Sequence, residues 1–197
     1  MNKYFDSHFN KEIVTIYPGE YYASSGPEMI STVLGSCISI ALFDEENKIG
    51  GINHFMLARD TSLDQAQGEQ LMGKFGEYAI DLLINDLKAK GASIKNLQAK
   101  VFGGSNVFNQ PANTGAQVGE VNIKFAFDYL EHLHIPVVNS NTGGNLPRKI
   151  FFDPETAKVY MKYINNSNLE NENLQKKEAS YIETIKIAEV KNLFPDD

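Results

Sequence analysis

The stretch STVLGSCISIALFDEENKIGGINHFML, residues 31–57, restricts the fold of this chain more than any other. Two apolar runs at 38–43 and 50–57 flank a polar DEENK segment, and this pattern predicts a β-hairpin. The hairpin carries the only cysteine of the chain, Cys37, next to its first strand and one of the four histidines, His54, on its returning strand. A thiol and an imidazole are therefore expected close together.

Helices and further strands occupy most of the remaining sequence. Apolar residues at three- and four-residue steps predict one helix over 69–91, ended by Gly91, and a second over about 118–132. The expected apolar stripes consist of Leu71, Phe75, Tyr78, Ala79, Leu82 and Leu83 in the first helix and of Val121, Phe125 and Tyr129 in the second. Further strands are predicted at 12–17, 29–34, 96–102 and 135–138 and in a second hairpin at 149–152 and 157–164. This order of strands, helix, strand, helix and strands predicts an α/β fold with a mixed sheet.

Length, charge and cysteine content exclude several classes of protein. A chain of 197 residues fits one domain, or one domain with a tail. A net charge of −7 leaves no basic excess, so nonspecific binding to nucleic acid or anionic lipid is not expected. A single cysteine excludes an internal disulfide framework and a cysteine-only metal site. Without an apolar signal core or an apolar run of about 18 residues, the chain is predicted to be cytoplasmic, with no membrane insertion.

The composition changes after residue 164. The segment NNSNLENENLQKKEAS, residues 165–180, has few large apolar side chains and is predicted to be a polar linker. Residues 181–194 regain an apolar pattern that fits either a helix or a strand. We favour docking of this segment on the domain over binding to a partner.

The hairpin pattern places Cys37 and His54 within reach of one another. With a turn centred near Glu46, opposed residues have numbers summing to about 92 or 93, so Cys37 lies opposite Phe55 or Met56. His54 is then one or two places away, and a one-residue shift would put it directly opposite Cys37. A thiol beside an imidazole can form the nucleophilic thiolate–imidazolium pair. Equally, a buried cysteine is often a small hydrophobe, and His54 could be a core histidine.

Residues before Cys37 suit acyl transfer. Gly35 lets the backbone turn sharply and can leave amide N–H groups uncovered, as an oxyanion hole requires. A hydroxyl from Ser31 or Thr32 could hold the far side of the imidazole or orient a substrate. The residue types therefore favour attack on a carbonyl, a thioester intermediate and hydrolysis.

Other candidates carry weaker signals. Gly103-Gly104 and the NTGGN loop lack the spacing of phosphate-binding motifs. They are interpreted as turn-forming residues of loops or as walls of a site. His132 and His134 stand two apart at a helix end, so they are expected to complement the helix dipole rather than bind metal. Arg148 could bind a substrate carboxylate, but a surface ion pair is the favoured interpretation.

Several ordered blocks resemble the CheD family, the chemoreceptor glutamine deamidases of bacterial chemotaxis. They cover most of residues 12–164 and consist of PGEYY, TVLGSCISIALFDEENKIGGINHFML, KVFGGSNVF, VGEVN and NTGGNLPRKIFFDPETAKV. The last block departs from the family pattern at Asn141, where Asp is common, and at Pro147, where a small residue is usual. The resemblance implies a CheD-like deamidase domain at 1–164 and a C-terminal extension at 165–197. It also implies a single-domain α/β sandwich.

The resemblance implies hydrolysis of selected glutamine side chains on methyl-accepting chemotaxis receptors by a Cys–His–Thr triad, without metal or cofactor. Carried over, Cys37 is the nucleophile and His54 the general base and acid, while Ser31 fits the third position by spacing and Thr32 fits it by residue type. The residues expected on the oxyanion side or walls of the site are Gly35, Ser36, Gly103 and Gly104. The expected substrates are the cytoplasmic helices of chemoreceptors. A regulatory module that docks on a CheC-type phosphatase is the alternative.

Overall fold

A computed structural model describes residues 1–57, 65–106 and 116–164, together with positions 176 and 180. The strands are β1 (Asn2–Asp6), β2 (Lys11–Thr15), β3 (Tyr21–Ser24), β4 (Met29–Leu34), β5 (Ile38–Asp44), β6 (Ile49–Asn53), β7 (Gln98–Gly103), β8 (Val137–Thr142), β9 (Arg148–Phe152) and β10 (Val159–Tyr163). The helices are α1 (Gln65–Ala89) and α2 (Ala116–His132), with a 3₁₀ turn at Ile94–Asn96.

The strands form two five-stranded sheets. Sheet 1 has the order β1-β2-β4-β9-β10, and sheet 2 has the order β3-β6-β5-β7-β8. Each sheet is mixed, because β2 pairs with β4 and β7 pairs with β8 in parallel while the other pairs are antiparallel. The α/β class and the mixed pairing are thus confirmed, with the strands divided between two sheets.

Sheet 2 lies between sheet 1 and the helices. Alternate residues of a strand face opposite sides, and β5 is buried along its whole length. Ile38, Ile40 and Leu42 belong to a core that includes Leu83 of α1 and Leu130 of α2. The opposite face contributes to a second core between the sheets, formed by Ile16, Ile30, Leu34, Cys37, Ala41, Phe43, Ile52, Met56, Phe102, Ile150, Phe152 and Ala157. Cys37 therefore belongs to the layer between the two sheets.

The two helices were predicted correctly, although both begin before the predicted first residue. Gly91 follows α1 at φ 104°, a left-handed conformation that suits glycine after a helix. The apolar stripes are correct only in part, because Tyr78 is 60% exposed and Val121 is 38% exposed. Leu71 lies among the residues whose side chains the structure does not describe.

Strands β1 and β3 were not predicted. Strand β1, at the edge of sheet 1, is exposed over Asn2–Phe5 and has no apolar face for the sequence to reveal. The predicted linker and apolar segment after residue 164 lie almost wholly outside the described residues, so the domain boundary stays a prediction. Neither α1 nor α2, the long helices of the described ranges, is apolar enough over sufficient length to cross a membrane.

Candidate active site

The register of the β5–β6 hairpin sets the relation between Cys37 and His54. Ala41 pairs with Ile52, and beyond the strand end Ile38 pairs with Phe55, so opposed residue numbers sum to 93. The same register puts Met56 opposite Cys37 and makes Cys37 and His54 diagonal neighbours, about 7–8 Å apart along the sheet. This agrees with one of the two registers predicted from the turn.

A hydroxyl from sheet 1 contacts the imidazole of His54, the residue that directly follows β6. Thr32 Oγ1 lies 2.8 Å from His54 Nδ1 and donates a hydrogen bond to the Ile16 carbonyl at 2.9 Å. A hydroxyl has one hydrogen, and Thr32 donates it to the Ile16 carbonyl. The hydrogen between Thr32 Oγ1 and His54 Nδ1 therefore belongs to Nδ1. The tautomer assigned in this way leaves the lone pair on Nε2, which has no hydrogen-bond partner among the described residues.

Thr32 and Ser31 point to opposite faces of β4, because successive residues of a strand alternate between its faces. Ile30 and Leu34 belong to the core between the sheets, so Thr32 points to that side and Ser31 points to the other. Ser31 is fully buried where β4 pairs with Phe151 of β9, and its hydroxyl has no hydrogen-bond partner within the described ranges. The structure therefore brings Thr32, and not Ser31, to His54.

Burial controls the charge of the imidazole. His54 is 1% exposed, Cys37 is fully buried, and burial lowers the pKa of His54 from 6.5 to about 3. The imidazole is consequently neutral near pH 7, with its Nε2 unprotonated. A neutral base next to a thiol is the arrangement that nucleophilic catalysis by cysteine needs.

This low pKa predicts a loss of stability in acid. Between pH 6.5 and 3 the unfolded chain binds a proton at His54 that the folded chain does not, so stability falls as the pH is lowered through this range. At pH 5 the loss relative to neutral pH is about 2 kcal/mol. His54→Gln lacks this titration, and its stability deficit relative to wild type should therefore shrink by about 2 kcal/mol between pH 7.5 and 5. Urea unfolding of both proteins measures this, and parallel pH profiles would contradict it.

Backbone contacts hold the turn before β5. The Gly35 carbonyl accepts hydrogen bonds from Ser105 N at 2.7 Å and Ser105 Oγ at 2.8 Å. The Cys37 carbonyl accepts one from Gly104 N at 2.8 Å. Because the Gly104 N–H is used in this way, it is not free to act as an oxyanion donor. Ser105 was not predicted, since nothing near it in the sequence indicates that it meets Gly35.

Gly103 is required where the β7 backbone meets Cys37. It has φ 110°, and a Cβ there would lie 2.1 Å from the Cys37 carbonyl oxygen. We expect Gly103→Ala to lower the free energy of unfolding by about 3–5 kcal/mol, from the left-handed backbone and the clash together. Gly144→Ala is the matched control, because Gly144 has φ 73° but nothing within 4 Å of its Cβ position. It should cost about 1–2 kcal/mol. Equal urea midpoints for the two variants would contradict the close approach of Gly103 to the Cys37 carbonyl.

Arg148 differs from its prediction as a surface ion-pair residue. It is 1% exposed and donates hydrogen bonds to the carbonyl and the side-chain oxygen of Asn141 and to the Gly143 carbonyl. Gly143 N in turn donates to the Gly103 carbonyl at 2.9 Å. Arg148 therefore connects sheet 1 to the loop that supports Gly103. The side-chain oxygen that accepts one of its hydrogen bonds belongs to Asn141, the position at which Asp is common in the family. The sequence prediction failed because the sheet packing that buries Arg148 is not local.

Two of the other three histidines lie at the C-terminal end of α2. His132 ends α2 and stacks on Tyr129, and His134 follows at φ 56° in an exposed position. Over the described ranges 1–57, 65–106 and 116–164, no group of three or more His, Cys, Asp or Glu is arranged to hold a metal ion.

Comparisons with known proteins place the chain in a family. A family profile described as CheD chemotactic sensory transduction matches residues 56–163. The chain is 39% identical to "Probable chemoreceptor glutamine deamidase CheD" of Methylobacillus flagellatus over 96% of its own length and 91% of that protein. It is 40% identical to "Probable chemoreceptor glutamine deamidase CheD 1" of Shewanella oneidensis over 91% of its length and 85% of that protein. The relative in Thiobacillus denitrificans, "Probable chemoreceptor glutamine deamidase CheD", is 40% identical over 94% of this chain and 89% of its own.

The family profile covers more than half of the residues, and these relatives are about 40% identical over more than 90% of this chain. The chain belongs to the CheD family.

Proposed function

We propose that the chain is a protein-glutamine deamidase. It would convert selected glutamines of methyl-accepting chemotaxis receptors to glutamate and release ammonia in the cytoplasm. The observation that carries this proposal is the contact between Thr32 and His54, which leaves the lone pair of the buried imidazole on Nε2, in the same layer as Cys37. The printed names of the relatives, as chemoreceptor glutamine deamidases, support the substrate class.

The first step is attack on the glutamine carboxamide. His54 Nε2 takes the proton from the Cys37 thiol, and the sulfur forms a bond to the carboxamide carbon. The electrons of the carbonyl π bond move to its oxygen and give a tetrahedral intermediate. When this intermediate collapses, the carbon–nitrogen bond breaks, and the imidazolium gives its proton to the departing nitrogen. The products of this half-reaction are ammonia and a thioester on Cys37.

The second step returns the enzyme to its starting state. Water attacks the thioester while Nε2 takes one of its protons, and the carbon–sulfur bond then breaks. The sulfur recovers its proton from the imidazolium, and the receptor side chain leaves as glutamate. Burial favours a neutral imidazole in the resting enzyme, so the proton moves during attack instead of beforehand.

Thr32 orients the base. Its oxygen accepts the Nδ1–H in both protonation states of the ring, because the Thr32 hydrogen is directed to the Ile16 carbonyl. This contact fixes the ring and its tautomer, which is the role that the third member plays in catalytic triads. Gly35 and Ser36, in the turn before Cys37, are proposed to form the oxyanion side of the site, with Gly103 and Gly104 as its wall.

Mass spectrometry of a receptor fragment tests the activity. Each conversion of glutamine to glutamate raises the mass by about one unit, and peptide mapping locates the site. The wild-type protein should convert specific glutamines with release of ammonia, and Cys37→Ala should convert none. If wild type converts no glutamine in any receptor fragment, the deamidase proposal fails. The regulatory alternative, docking on a CheC-type phosphatase or on receptor helices, would then be preferred.

A further inference from the structure

The hydrogen-bond ladder between the two arms of the hairpin is interrupted beside Cys37. Ile38 and Phe55 exchange both of their backbone hydrogen bonds, each 2.9 Å long. Exchanging pairs recur at every second residue of an antiparallel ladder, so the next pair would be Ser36 and Leu57. Instead, Leu57 N donates to Asn122 Oδ1 at 2.8 Å, and Asn122 Nδ2 donates to the Ser36 carbonyl at 2.8 Å. One carboxamide therefore stands between the two strands where a direct bond would otherwise form.

Asn122 is suited to this position. A side-chain carboxamide offers the same donor and acceptor as a peptide group, so it satisfies both strands at once. Asn122 is fully buried, and it lies on α2, one turn before the core residue Ala126. The helix approaches the site closely, because a Cβ on Gly119 would lie 2.5 Å from the Gly104 carbonyl oxygen. Packing of α2 therefore sets where the carboxamide enters the ladder.

A second asparagine interrupts the ladder on the other side of the Ile38–Phe55 pair. Ile40 N donates to the side-chain oxygen of Asn53 at 2.9 Å, and the Asn53 amide donates to the Ala79 carbonyl of α1 at 3.3 Å. The Ile38–Phe55 pair is therefore an isolated bridge, flanked on one side by a carboxamide from α2 and on the other by a carboxamide that contacts α1. Contacts with the helices thus replace regular strand pairing along the segment that carries Cys37 and His54.

The contact with Ser36 acts directly on the nucleophile. The peptide unit that joins Ser36 to Cys37 is planar, so a fixed Ser36 carbonyl also fixes the direction of the Cys37 N–H and the start of its side chain. The carbonyls on either side of Ser36 are held by Ser105 and Gly104. We propose that Asn122 is a positioning residue that holds the strands apart beside Cys37 and orients the thiol, an inference that rests on the proposed role of Cys37.

Variants of Asn122 separate its two contacts. Asn122→Ala removes both, and we expect kcat to fall about 100-fold with KM for a receptor fragment unchanged. Hydrogen exchange of the Leu57 amide, followed by NMR, should become faster. Asn122→Asp keeps an acceptor for Leu57 N but replaces the donor to Ser36, so kcat should fall while Leu57 stays more protected than in Asn122→Ala. Tyr129→Phe is the control, because it removes a hydrogen bond from the same helix to Asp81 and leaves the hairpin untouched.

The result distinguishes positioning from stability. Asn122 would be a merely structural residue if the activity of its variants followed the fraction of folded protein at each temperature, or if Tyr129→Phe lost as much kcat. A folded Asn122→Ala protein with wild-type kcat and wild-type Leu57 exchange would also overturn the inference. If Asn122→Ala does not fold, Asn122→Asp still tests the contact with Ser36, because it removes only the donor of that contact. If the wild-type protein converts no receptor glutamine, the proposed function fails. The inference about Asn122 is then tested by hydrogen exchange alone, and unchanged Leu57 exchange in the folded variants would overturn it.

Discussion

We expect Cys37→Ala to abolish deamidation of receptor glutamines and His54→Gln to lower its rate at least about 10³-fold. In the proposed mechanism, the first change removes the sulfur that attacks the carboxamide, and the second removes the base that takes the proton from that sulfur. Groups that act as one unit are not additive, so the double variant should be no worse than Cys37→Ala. Initial rates from the mass shift of a receptor fragment measure all three.

The same variants test the alternative in which Cys37 and His54 only fill the core. Cys37 is fully buried between the sheets, so its truncation to alanine should cost about 1–2 kcal/mol of stability and leave the protein folded. Circular dichroism and a urea melt check this. Unfolded Cys37→Ala and His54→Gln proteins, or a folded Cys37→Ala protein that keeps its activity, would contradict the catalytic assignment.

We expect Thr32→Val to lower kcat about 100-fold and Ser31→Ala to leave it unchanged. Valine keeps the shape of threonine but lacks the oxygen that lies 2.8 Å from His54 Nδ1, so the ring loses the contact that fixes its tautomer. Ser31 is a matched control because it is the adjacent residue, is equally buried, and points to the opposite face of β4. Both are measured with the receptor assay at pH 7.5. A larger loss of kcat in Ser31→Ala than in Thr32→Val would contradict the assignment of Thr32 as the third member of the triad.

Much of the fold could be predicted because its signals are local. The periodicity of the helical segments, Gly91 and the polar turn of the hairpin each depend on neighbouring residues, and these elements were found. The relation of Cys37 to His54 also follows from local register, since the length of the turn determines which residues are opposed. Strand β1 was missed because an exposed edge strand needs no apolar alternation.

The non-local parts of the site could not be predicted from residue patterns. Ser31 and Thr32 differ only in which face of β4 they occupy, and the useful face is defined by a second sheet that packs on it. Asn122 contacts Ser36 and Leu57 across 86 and 65 residues of sequence. The carbonyls that Arg148 contacts belong to the other sheet and the loop after it, so an isolated arginine in the sequence suggested a surface position instead.

Deamidation in water enriched in oxygen-18 tests most directly whether Cys37 drives hydrolysis of a receptor glutamine. Hydrolysis through a thioester places one oxygen from water in the new carboxylate, so each converted residue gains about three mass units instead of about one. We predict this shift at specific glutamines with wild type and none with Cys37→Ala. Unchanged receptor glutamines, or an equal shift with Cys37→Ala, would contradict the account.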